Sequence, residues 1–285
     1  MQAFLFANEP IVRLAAFAGV FALMAGWELL APRRVPTFGR SLRWANNLAL
    51  MLIGTVLVRV LFPVVATGFA MLVQARGWGL FNTISVPGAV ALVGSVLILD
   101  FAIYLQHVMF HVVPWFWRIH RVHHADLDFD VTTGVRFHPV EILLSMLIKL
   151  GVVAIVGPPV LAVLVFEILL NATSLFNHSN AKLPIGLDRW LRWCVVTPDM
   201  HRVHHSVVAV ETDSNFGFNL PWWDRLFGTY RAQPAAGHEA MTIGLPLFRS
   251  ARELRLDRLL LQPIVRPSGS SSGSSPESSS ENHLG

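Results

Sequence analysis

The chain has 285 residues, enough for one domain or two at most. Hydrophobic residues make up 53% and charged residues only 14%, with a mean hydropathy of +0.52; a soluble domain carries roughly 25% charge, so an ordinary water-soluble enzyme and a mainly disordered chain are both excluded. The net charge of +4 is too small and scattered for a nucleic-acid binder, and the single cysteine, Cys194, excludes a disulfide framework and any zinc site built on two cysteines of one chain.

The N-terminal MQAFLFANEPIVR has no basic segment ahead of an apolar one and no clear cleavage site, so no secretory signal is expected. Three apolar runs follow. Ile11–Ala31 is long enough to cross a bilayer. Asn46–Val73 is longer and contains Pro63, which predicts a kink or a tilt. Ile84–Leu105 is a third crossing that leads into His107. A fourth apolar region, Val140–Ser174, is interrupted by Gly157-Pro158-Pro159 and reads as two short helices that enter and leave the same side, with one long kinked span as the alternative.

The loop Pro32–Arg43 carries Arg33, Arg34, Arg40 and Arg43, whereas Gln74–Thr83 carries only Arg76. Basic loops stay in the cytoplasm, which places the first loop there and with it the end of the third crossing and, if Val140–Ser174 is a hairpin, every clustered histidine. The chain therefore reads as all-α, a polytopic membrane bundle over 1–266, in a bacterial inner membrane. Residues 267–285, rich in Ser and Gly, are expected to be a disordered tail.

Ten of the 12 histidines lie between His107 and His205. Eight of them form His107-Val-Met-Phe-His111, His120-Arg-Val-His123-His124 and His201-Arg-Val-His204-His205. Residues three and four apart share a helical face, so each motif presents a set of imidazoles together. A lone interfacial histidine is usually a hydrogen-bonding core residue; two HxxHH copies after an HxxxH, in a charge-poor chain, point to metal. Imidazole ligation suits Zn, Fe, Cu or Ni. Eight rings exceed the roughly four needed by one zinc, which predicts a dinuclear site.

Nearby acids are candidates to accept the outer N–H of these rings: Asp126, Asp128, Asp130, Asp199, Asp213 and Asp224, with Asp199 the foremost. Asp100 stands two helical turns before His107 inside an apolar span, where an ionisable group is costly. Glu167, Asn171, Ser174 and His178 make one polar stripe that should face the bundle interior, with His178 as a ninth ligand. His138 is either a further ligand or a cap. Trp115, Trp117, Trp222 and Trp223 fit an interfacial belt.

The ordered motifs, Asp100-Phe-Ala-Ile-Tyr104 with His107 and His111, Trp117-Arg-Ile-His120-Arg-Val-His123-His124, Asn177-His178-Ser-Asn180, Thr197-Pro-Asp-Met-His201-Arg-Val-His204-His205-Ser206, and Asp213-Ser-Asn-Phe-Gly217 leading to Trp223-Asp224, resemble the fatty acid hydroxylase/sterol desaturase superfamily of membrane-bound non-haem diiron oxygenases. The resemblance covers about 100–230. It implies a cytosolic helical cap over the membrane bundle, carrying two Fe ions, with zinc possible in purified protein. It implies hydroxylation, desaturation or ether-bond oxidation of a lipid or other hydrophobic substrate, with O2 and a separate electron-donor protein, and no catalytic residue beyond the metal ligands. The family's ligand role falls on His107, His111, His120, His123, His124, His201, His204 and His205. Some members have HxxxH where this chain has Ser174 and His178. The competing readings are a catalytically inactive metal-binding scaffold and a metal transporter.

Overall fold

The computed structural model describes residues 2–62 and 64–265; the expected tail at 267–285, with His283, lies outside the described residues. Among the described residues there are helices, turns and two isolated β-bridges, Pro32 with Ala181 and Ser206 with Ile243, and no strand.

The order begins with α1 (Gln2–Ala7), α2 (Glu9–Leu30), α3 (Arg40–Leu61), α4 (Ala66–Ala75), α5 (Leu80–Thr83) and α6 (Gly88–Val112). It continues with α7 (Pro114–His124), α8 (Pro139–Val156), α9 (Val160–Asn177), α10 (Ile185–Leu191) and α11 (Pro198–His204). Short turns of helix at Ala209–Thr212, Trp222–Leu226, Gly237–Ala240 and Leu256–Leu261 complete the fold.

Among the described residues, five segments are long and apolar enough to cross a membrane: α2, the run from Arg40 to Thr83, α6, α8 and α9. The expected second crossing is not one kinked helix: α3 ends at Leu61 and α4 starts at Ala66. The third crossing outruns its predicted end at Leu105 and carries both His107 and His111. It stops at Val113 because the residue before Pro114 is driven out of the α region, and Pro114 then occupies the first position of α7.

The expected hairpin is present. Gly157 closes α8 in the left-handed conformation at φ 62°, and Pro158 and Pro159 prevent continuation. A Cβ on the opposing Gly79 would sit 2.3 Å from the Gly157 nitrogen, so the turn and the loop before α5 meet backbone to backbone. The start of α8 and the end of α9 both return to the histidine end, where Glu141 and His178 lie.

α4 wedges between α8 and α9, and Ala66, Ala70, Val73, Leu99, Val153, Val163 and Phe166 form the apolar core there. α2 packs on α9, α3 on α8, and α6 on both. α2 and α3 touch near the cap, where Phe21 and Trp44 meet edge-on at 5.5 Å, and make no extended contact elsewhere. The remaining short helices form a cap over this end.

The loop 31–39 and the start of α3 are bolted to the cap. Arg43, fully buried, donates to Asp126 at 2.8 Å through two nitrogens and also pairs with Asp130. Arg33 reaches Asp199 and Glu239, Arg34 donates to the His238 carbonyl, and Asp128 accepts from Thr37 and Phe38. The basic loop and the histidines thus share one side. Arg33 and Arg43 serve as ion-pair partners there, a role besides topology.

Candidate metal centre

Nine histidines converge in two groups. His107, His111, His120, His124 and His204 form one; His123, His178, His201 and His205 form the other. In each group the ligand-capable atoms all lie within 4.8 Å of one another. The HxxHH motifs do not each face one way. On α7, His120 and His124 turn to the first group and His123 to the second; at α11, His201 and His205 turn to the second and His204 to the first. Members four apart stay together because 3.6 residues make a turn, and the third ring points across to the other group.

The Nε2 atoms face inward in close pairs. Separations are 3.1 Å for His111–His124, 3.2 Å for His120–His124 and 3.0 Å for His107–His204 in the first group. They are 3.1 Å for His123–His178 and 3.0 Å for His178–His201 in the second.

The outer nitrogens fix the tautomers. Nδ1–H donates to the Phe216 carbonyl from His107 at 2.8 Å, to Ser214 from His204 at 2.7 Å and to Ser174 from His178 at 2.8 Å. His120 donates to Glu141 at 2.7 Å and His111 to Asp213 at 3.1 Å. With Nδ1 carrying the proton, these rings turn bare Nε2 lone pairs toward each other, which cannot hydrogen-bond and repel unless a cation lies between them. His205 is fully buried and neither of its ring nitrogens has a partner.

Burial also holds His123, His124, His201, His204 and His205 well below the usual imidazole range, and His178 at about 3, so the rings are neutral donors. Ligands at right angles about 2.1 Å from a metal stand about 3.0 Å apart, close to the separations seen. The donor set therefore fits two late first-row ions, one with five imidazoles and one with four.

A short strap positions the outer partners. Asp224 accepts from the Phe216 and Gly217 nitrogens, each at 2.8 Å, and from Thr229 Oγ1 at 2.7 Å. A Cβ at Gly217 would come within 2.6 Å of Asp224 Oδ2, so the strap tolerates only glycine there. Phe137 stacks on His123 at 4.5 Å, and Trp117 lies 4.9 Å from His111. Of the four expected belt tryptophans, Trp115 and Trp222 are exposed, whereas Trp117 covers the site and Trp223 donates to Asp100 at 2.8 Å.

Several expected partners lie elsewhere. Asp199 pairs with Arg202, Arg33 and His238 rather than with a ring of either group. Asp126 and Asp130 serve Arg43, and Asp100 serves the packing of Trp223. His138 belongs to neither group: it caps α8, its Nδ1 accepting from the Val140 nitrogen at 3.2 Å. Sequence reasoning missed Glu141. Its one visible signal was an acid in the first turn of an apolar helix. The carbonyls of Ser174, Ser214 and Phe216 leave no signal in side-chain identity.

A cavity of about 500 Å³ runs from His107 and His120 into the membrane bundle between α2, α3, α6, α8 and α9. Phe17, Met51, Ile103, Phe110, Met146 and Leu170 give it an apolar waist. Glu167, Asn171 and Ser174 line it, so the polar stripe on α9 does face the interior.

Residues 92–229 match the family model for fatty acid hydroxylase. The ornithine lipid hydroxylase of Rhizobium tropici is 30% identical over 148 residues, covering 52% of this chain and 44% of that protein. The human (Homo sapiens) alkylglycerol monooxygenase is 31% identical over 135 residues, 47% of this chain and 29% of its own. The cholesterol 25-hydroxylase of Rattus norvegicus is 29% identical over 142 residues, 48% and 46% respectively. The chain thus spans less than half the length of these relatives. No solved structure matches it.

Proposed function

We propose that the chain is a membrane-bound non-haem diiron oxygenase that hydroxylates a lipid-like substrate, with His107, His111, His120, His124 and His204 holding one iron and His123, His178, His201 and His205 the other. The observation that carries this reading is the convergence of nine imidazoles in two groups, two of whose rings, His107 and His120, line a cavity in the membrane bundle. Zinc offers no redox chemistry, whereas an iron pair when bound supplies the activation of O2 needed to oxidise an unactivated C–H bond. The balance is one O2, two electrons and two protons per alcohol and water formed, so a separate electron-donor protein completes the system. Relatives named for hydroxylase and monooxygenase activity favour hydroxylation over desaturation.

This chain's own residues bind, orient and exclude water. Glu141, Asp213 and the carbonyls of Ser174, Ser214 and Phe216 orient the rings. Phe110, Phe137 and Phe218 wall the metal end of the cavity against water. The orientation follows the basic loop: histidine cap in the cytoplasm, bundle in a bacterial inner membrane.

Lipid profiling tests the reading. Cells producing the wild-type chain, grown under 18O2, should contain a lipid with one added labelled oxygen; cells producing His204→Ala should not. Identical profiles at equal membrane levels of the two proteins would sink it.

A further inference from the structure

The cavity has a second polar end. Remote from the histidines, Glu167 on α9 accepts from Arg13 at 2.6 Å and from Lys149 of α8 at 2.8 Å. Glu9 accepts from the same Arg13 at 2.9 Å and from Thr67 of α4 at 3.2 Å. Charged groups from α2, α8 and α9 thus meet inside apolar segments, where they are costly and usually functional. The pairing leaves a remainder. Arg59, in the last turn of α3, faces the same cavity and makes no ion pair among the described residues. Three cations therefore face two carboxylates.

The geometry supplies an entrance. α2 and α3 meet at Phe21 and Trp44 beside the cap and then part. Leu14 on one side and Thr55 and Arg59 on the other line the cavity and are exposed at the gap. Glu167 lies eleven residues before His178 on α9, and Lys149 eight residues after Glu141 on α8. At about 1.5 Å per residue, the ionic end stands roughly 12–16 Å from the histidines.

We propose that the cavity binds a membrane lipid with an acidic headgroup, a phosphate or a carboxylate, which enters between α2 and α3, sets its anionic group on Arg59 and extends its chain to His107 and His120. This deepens the oxygenase reading and rests on it only for what happens at the metal end. It places the oxidised carbon well down the chain, remote from the headgroup. If Arg59 merely extended along its stem to the nearest interface, neutral and acidic lipids would bind alike.

Native mass spectrometry of the full chain in neutral detergent reads lipid retention without metal or turnover. Titrations compare phosphatidylglycerol, oleate and phosphatidylcholine. Retention of phosphatidylglycerol or oleate at least about tenfold tighter than phosphatidylcholine is expected, and the tighter of the two acidic lipids identifies phosphate or carboxylate. Arg59→Gln should weaken that retention by about tenfold, the loss of one charge-assisted contact. Arg59→Lys should keep most of it, and Arg252→Gln, exposed and outside the cavity, should change nothing. Equal retention of phosphatidylcholine, or an unaffected Arg59→Gln, overturns the proposal. Oleate with a photoreactive methyl end should label Phe110 or Phe137; labelling confined to Pro10 or Val65 overturns the placement. A chain that selects acidic lipid through Arg59 yet oxidises nothing would sink the oxygenase reading alone. One that oxidises a neutral lipid and ignores Arg59 would sink this proposal alone.

Discussion

Glu141 in the first turn of α8 accepts the Nδ1 proton of His120 at 2.7 Å, and both residues line the cavity. One carboxylate thereby ties a membrane helix to a ring of the five-histidine group. Its second oxygen is buried and has no partner.

Removing that tie should loosen metal without unfolding the bundle. Glu141→Ala is expected to lower metal affinity about 10–100-fold, the usual cost of losing an outer carboxylate. Glu141→Gln keeps an acceptor for the His120 N–H and should lose less. Competition with a chelator, followed by elemental analysis, measures both. Equal retention in Glu141→Ala and wild type would mean that the contact does not orient the ring.

Iron-replete protein should hold about two metal ions per chain, as two imidazole groups imply. His124→Ala and His205→Ala remove one donor from the first and second group respectively and should each abolish activity while the protein still inserts. His138→Ala removes a helix cap and the Nε2–H bond to the Leu260 carbonyl, and should cost about 1–2 kcal/mol of stability with metal content unchanged. Elemental analysis and thermal melts separate these outcomes; one ion per chain in the wild type would refute the dinuclear arrangement.

His178 and Ser174 behave differently although they share a stripe. His178→Ala should reduce metal content sharply, because its Nε2 stands 3.0–3.1 Å from those of His201 and His123. An imidazole at 174 looks, from the sequence, like a restored ligand. In the structure Ser174 Oγ donates to the Gly134 carbonyl at 2.8 Å, at a point where the two backbones are in tight contact. Ser174→His should therefore overpack and cost about 1–3 kcal/mol with no gain in metal. A melting temperature equal to wild type would contradict this.

Arg43 stands between two buried carboxylates. Arg43→Met removes the guanidinium that Asp126 and Asp130 share, leaving Asp126 only the Arg136 cation at 4.0 Å, and should destabilise by about 3–5 kcal/mol. The Arg43 charge holds Asp126 well below the usual carboxylate range, so the native pairing persists even in mild acid. The expected readout is a lower melting temperature and poor membrane accumulation; a wild-type melt would show the pair to be dispensable.

His238 belongs to no motif, and by sequence its loss should be silent. It is buried, with Asp199 3.7 Å away, and burial lowers it to about 4 from an unfolded value near 6.5. The native state thus binds fewer protons than the unfolded one between these values. The stability this confers is complete above about pH 6.5 and is lost as pH falls toward 4, by at most about 3 kcal/mol. His238→Gln should flatten that part of the pH profile, measured as the melting temperature between pH 7 and 4.5. An unchanged slope would remove His238 from the acid response.

Apart from the break of the second crossing between Leu61 and Ala66, the crossings, the break at Gly157 and the convergence of nine histidines were legible, because apolar length, proline and the i, i+3, i+4 spacing act locally. The sorting of the rings was not: a motif shows which residues share a helix but not the rotation of that helix between two groups. Asp199 looked well placed two residues before His201, yet the nearby guanidinium of Arg202 competes for its charge. Glu141 is 21 residues from His120, and such a pairing becomes visible only once α7 and α8 cross.

The interleaving of the HxxHH motifs has a consequence for assembly. Because α7 and α11 each send rings to both groups, neither half of the centre can be built or dismantled by itself. Seating an ion in either group would fix the roll of both helices, and with it three rings of the other group: His123, His201 and His205, or His120, His124 and His204. Loading should therefore be cooperative, with singly occupied chains scarce during maturation. A damaged ring in one half should also be felt as weakened occupancy in the other.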